Sequence, residues 1–182
     1  MLIKAYKVLV SMQRHDLLCR TAANHIRLNG VDVVREVRYA NEETNHARAR
    51  PGDLDLWTQD GNKSTHWALD FAVVSEYHND SKHFTTTASK SGRSETIRTE
   101  KGKIRKHRGS FKEMDVEFAP MVCSTSGAWG HESNRAFNDI AKNIAKCNLT
   151  SQRVERFKMR TTLTNNVMKS VARSYELIIT FT

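Results

Sequence analysis

Apolar residues recur with two rhythms along this chain, and the switches between them outline its elements. Between residues 11 and 29, Leu18, Ala22 and Ile26 recur every four positions, and Gly30 follows where a helix would stop. This predicts a helix with Ser11 as candidate N-cap. VDVVREVRY (31–39) then alternates, with Val33, Val37 and Tyr39 on one face and Val34, Glu36 and Arg38 on the other. A polar, turn-like stretch follows. DLDLW (53–57) reads as a short strand, QDGNKS (59–64) as a turn on Asp60-Gly61, and HWALDFAVV (66–74) as the strongest strand. In that strand Trp67, Leu69, Phe71 and Val73 share one face; Ala68, Asp70, Ala72 and Val74 share the other.

Residues 81–94 are loop-like, and 96–109 predict a helix ending near Gly109. DVEFAPMVC (115–123) is a further strand. A tight loop (124–133) leads to a helix at 134–147 faced by Phe137, Ile140, Ala141 and Ile144. The last helix, 150–179, takes Val154, Phe157, Leu163, Val167, Val171 and Leu177 as anchors. Three strands, then a helix–strand unit, then two helices predict an α/β domain with a central mixed sheet of four to five strands flanked by helices. At 182 residues the chain fits one domain, 1–182, with its core at about 14–147.

Composition adds little until charge is mapped. Of the net charge of +9, +8 falls between Lys82 and Lys112, where ten basic residues face only Glu95 and Glu100. Such a field suits a polyanion such as nucleic acid, DNA or RNA, although a solvated basic helix face gives the same count. Three scattered cysteines (Cys19, Cys123, Cys147) form neither a disulfide framework nor a zinc motif. They fit a reducing, intracellular setting, nucleus or cytoplasm, with Cys19 and Cys147 as small core residues. No run is long enough for a signal peptide or a membrane span, so the chain is expected to be unprocessed and without a membrane partner.

Candidate chemistry centres on two carboxylates. Asp53 opens one strand and Asp70 sits inside the next, among Ala68, Ala72 and Val74. A carboxylate there is costly unless something positive compensates it. Two carboxylates on adjacent strands can converge on a hard cation such as Mg²⁺ or Mn²⁺. The bland alternatives are a turn role for Asp53 and an Arg or His partner for Asp70. Asp55 competes with Asp53, and Glu36 on the preceding strand is either a third carboxylate or a solvent-facing one. Among the eight histidines no HxxH or HxH spacing occurs, so His15, His66, His83 and His107 each read as a surface or core residue. Trp129 could stack on a base, or pack on the sheet and fix its loop.

The segments RPGDLDLW and ALDFAVV, in that order, resemble the PD-(D/E)XK (restriction-endonuclease-like) nuclease domain, in the form associated with LINE-type retroelements and related mobile elements. TEKGKIRKH resembles that family's Glu-x-x-Lys-x-x-Lys-Tyr helix, with His107 in place of Tyr. FAPMVCSTSGAWGHES resembles its Phe-x-Pro and Gly-x-Trp-Gly segments, and the likeness spans about 14–147. It implies a restriction-endonuclease-like fold and a metal-dependent endonuclease hydrolysing DNA. Asp53 and Asp70 would bind Mg²⁺ or Mn²⁺, and Glu36 would complete the shell. A standard motif would put lysine where Ala72 stands. The family group supplies it from the following helix, which points to Lys103 or Lys106. Lys82, Lys90, Arg93, Arg98, Lys101, Arg105, His107, Arg108 and Lys112 would grip the phosphate backbone. Cutting both strands would imply a homodimer. The rival expectations are an inactive nuclease-like nucleic-acid-binding module and a basic structural or RNA-binding protein.

Overall fold

The strongest alternating segment lies inside the sheet. In the computed structural model, which describes residues 2–35, 52–75 and 93–180, the chain runs α1 (Leu2–Leu28), β1 (Val33–Arg35), β2 (Leu54–Asp60), β3 (Lys63–Val74), α2 (Arg93–Glu113), β4 (Val116–Ser124), α3 (His131–Asn148) and α4 (Gln152–Thr180). The four strands lie in the order β1-β2-β3-β4. β1–β2 and β2–β3 pair antiparallel, whereas β3–β4 pair parallel, so the sheet is mixed. The parallel pair needs a crossover, and α2 lies within it.

The two faces of β3 divide the core as its alternation predicts. Trp67, Leu69 and Phe71 enter the main cluster with Leu18, Ala22 and Ile26 of α1, Phe137, Ile140 and Ile144 of α3, and Met159, Leu163 and Val167 of α4. Ala68 on the opposite face joins a smaller cluster with Phe111 of α2 and Val116 and Phe118 of β4. Helices therefore cover both faces, and α2 lies on the side that carries Asp70.

Several expectations are corrected. The first helix begins at Leu2, not Ser11, so Ser11 is an interior residue and no cap. The basic helix runs past Gly109 to Glu113, because Phe111 stacks on Phe118 at 4.9 Å and anchors its last turn. Cys19 is buried, but Cys147 is exposed and no core residue. In α4, Val154 and Phe157 face solvent, and Met159 is buried in their place. The expected strand 31–39 is described only to Arg35, and Glu36, Lys82, His83 and Lys90 lie outside the described residues. Among the described residues, no helix is long and apolar enough to cross a membrane.

Candidate active site

Asp53 is fixed by β3 before any other element touches it. Its backbone N–H donates to the Leu69 carbonyl at 2.8 Å, and its Oδ2 accepts the Phe71 N–H at 2.7 Å. Gly52 makes this approach feasible. A Cβ there would stand 3.0 Å from the Leu69 carbonyl oxygen and 3.3 Å from the Ala68 Cβ. Asp53 thus sits one step beyond the Leu54–Leu69 pair, beside the β3 segment that carries Asp70.

Each carboxylate has a cationic partner from a different helix. The Nζ of Lys103, on α2, donates to Asp70 Oδ2 at 2.6 Å. The Nε2 of His15, on α1, lies 3.0 Å from Asp53 Oδ2. The hydrogen bond to Asp53 and a second to Cys19 push the His15 imidazolium up to about 11, so the ring is charged at neutral pH. Cys19 Sγ lies 3.8 Å from the same Nε2, and burial pushes its thiol upward. All bonds recorded on Asp53 and Asp70 fall on Oδ2, which leaves Oδ1 of each open among the described residues. Each carboxylate therefore keeps one oxygen free and is partly open to solvent.

The other expected residues separate clearly. Lys106 is exposed, with no bond to either aspartate, so of the two lysines Lys103 is the one that meets Asp70. Arg98, Lys101, Arg105 and Lys112 lie on the exposed side of α2, where Arg98 also pairs with Glu95 at 2.6 Å. For Arg93 and Arg108 only the helical backbone is described. Asp55 is buried and held by His66 Nε2 at 3.0 Å, and His66 stacks on Trp57. That is a structural arrangement, distinct from Asp53's contact with His15. Trp129 is buried, edge-on to Phe137, and donates to Thr164 Oγ1 at 2.9 Å, so it packs rather than stacks on a base.

His107 packs its ring 5.5 Å from Phe118 and 6.5 Å from Phe111. Burial lowers its pKa. A depressed folded value means that its contribution is complete above the unfolded value of 6.5 and is lost as pH falls below it. His107→Tyr keeps an aromatic ring there without the titration. Urea unfolding should therefore favour the variant over wild type more at pH 5 than at pH 7; an unchanged difference would remove His107 from the acid response.

Sequence reasoning missed His15 and the role of Glu100. The Glu100 carboxylate, on α2, accepts the N–H groups of His131, Glu132 and Ser133 at 2.9, 3.3 and 3.1 Å and the Ser133 hydroxyl at 3.0 Å. It caps α3 from another helix, because Gly130 offers no side-chain cap. The His15–Cys19 spacing of four was visible, but only the fold brings Asp53 to it. Compared with family models and with curated proteins, the chain matches none.

Proposed function

We propose that this chain is a divalent-metal-dependent endonuclease domain acting on DNA, of the PD-(D/E)XK, restriction-endonuclease-like type associated with mobile elements. Asp53 and Asp70 are its metal-holding carboxylates. The observation that carries the reading is the Lys103–Asp70 contact at 2.6 Å. Lys103 stands on the helix after β3, where the resemblance needs a lysine to compensate for Ala72. The mixed sheet with helices on both faces is of the kind that the resemblance implies.

Asp53 and Asp70 would hold Mg²⁺ or Mn²⁺ through oxygen, and the bound cation supplies a water of lowered pKa and a polarised phosphate. The protein's own residues do the rest. The Phe71 N–H holds the Asp53 carboxylate in place. Lys103 orients Asp70 in the free protein, and its ammonium would stabilise the charge that develops on the phosphate. Arg98, Lys101, Arg105, Lys106 and Lys112 on the exposed side of α2 grip backbone phosphates without selecting sequence.

A second reading is an inactive nucleic-acid-binding module, favoured by one observation: both carboxylates already have cationic partners, His15 and Lys103. Plasmid nicking separates the two. The nuclease reading expects nicking in Mg²⁺ or Mn²⁺ that Asp70→Asn abolishes while salt-sensitive DNA binding persists. Wild-type protein that binds DNA but cuts it with neither metal sinks the enzyme.

A further inference from the structure

Three ligand-type side chains converge where α1 passes the start of β2. His15 and Cys19 stand one helical turn apart and leave α1 on the same side. Asp53 reaches them from the sheet. Nε2 of His15 is 3.0 Å from Asp53 Oδ2 and 3.8 Å from Cys19 Sγ, and one ligand atom from each residue lies within 4.8 Å of the others. Among the described residues this is the group of three metal-ligating side chains that comes this close.

The spacing suits a small tetrahedral ion. Zinc bonds of about 2.0–2.3 Å place ligand atoms roughly 3.3–3.7 Å apart, so side-chain shifts of up to about 1 Å would close the shell. The donor set is imidazole, thiolate and carboxylate, and the thiolate favours zinc over magnesium. Two anions balance the dication, and Cys19 is 3% exposed, at the edge of the main core. Asp16 Oδ1, 3.5 Å from His15 Nδ1, is placed to orient the ring, as carboxylates behind zinc-bound histidines do.

We propose that His15, Cys19 and Asp53 form a Zn²⁺ site with one position left for water, and that an ion there inhibits the nuclease by drawing Asp53 away from the Mg²⁺ site. The inhibitory half rests on the nuclease reading; the zinc site does not. Binding releases two protons, one from the His15 imidazolium and one from the Cys19 thiol.

Cobalt(II) is the optical probe, added to the full chain under reducing conditions in a Cys147→Ser background that removes the exposed thiol. One equivalent should bring up a thiolate-to-cobalt charge-transfer band that Zn²⁺ erases and Mg²⁺ does not. Cys19→Ser should lose the band. Because Cys19 is buried, partly exposed His15 supplies the second variant: His15→Ala should weaken cobalt binding at least about tenfold. Absence of the band, or its survival in folded Cys19→Ser, overturns the site. In nicking assays at fixed Mg²⁺, equimolar Zn²⁺ should inhibit wild type, and the inhibition relative to each protein's own rate should vanish in Cys19→Ser. The band together with nicking that Zn²⁺ leaves unchanged overturns the competition. The band in a protein that cuts with no metal overturns the nuclease reading and leaves the zinc site standing.

Discussion

Lys103→Ala is expected to slow metal-dependent nicking by about 10²–10³-fold, the cost of losing one donor to developing charge, without weakening the cation's hold on the protein. The two effects separate because Lys103 has different partners in different states. In the free protein its ammonium lies on Asp70 Oδ2 at 2.6 Å, where it compensates a carboxylate that is 20% exposed. Removing it takes a like charge away from an incoming cation, so metal affinity holds or rises. Asp70→Ala, by contrast, should lose binding and cutting together. Lys106→Ala removes only an exposed phosphate contact, and its modest loss of DNA affinity should fade at high salt. Metal titrations run beside single-turnover nicking decide the matter. Lys103→Ala cutting at the wild-type rate, or Lys106→Ala losing more than Lys103→Ala, would overturn the assignment.

Glu100→Ala is expected to destabilise the fold by about 3 kcal/mol or more. Its carboxylate is 3% exposed and accepts three backbone N–H groups and a hydroxyl at the start of α3. Truncation leaves those donors without an acceptor and removes a negative charge from the positive end of the helix. Glu100→Gln should fall between, since it keeps one acceptor oxygen but turns an NH₂ group toward donors. Gly130→Ala should be costly for the same reason, because its Cβ would fall on the Glu100 carboxylate. Urea unfolding measures all three. A Glu100→Ala chain within about 1 kcal/mol of wild type would show that water replaces the carboxylate.

Much of the sheet and of two helices was legible because burial there follows simple periodicity. Trp67, Leu69 and Phe71 entered the main core as their alternation required, and Phe137, Ile140 and Ile144 did so at helical spacing. The phase of α4 was hidden by a charge. Its buried face runs Glu155, Met159, Leu163 and Val167, and it begins with a carboxylate held by Thr150 and Lys158. Hydropathy alone sets such a residue outside and rotates the helix toward Val154 and Phe157. The choice between Lys103 and Lys106 was hidden differently. They stand three residues apart on one helix, and only its rotation against the sheet decides which meets Asp70. His15 carried too little local signal, since its partner lies 38 residues away in the chain. Glu100 looked like part of a basic motif, and nothing in its neighbourhood announces a helix start 31 residues later.

The mixed pairing of the sheet also orders events in time. Asp53, bonded to Leu69 and Phe71, and Asp70 lie just past the end of the antiparallel β2–β3 ladder, whose strands are joined through Gly61 and Asn62. Such hairpins close in about 1–10 μs. Lys103 reaches Asp70 across 33 residues of chain, on the helix that precedes the parallel partner β4. Parallel pairing waits for that longer loop to be gathered. During refolding the two carboxylates are therefore set in register before their lysine arrives. A dissolved cation meets Asp70 without its lysine in that interval, earlier than it could in the finished protein.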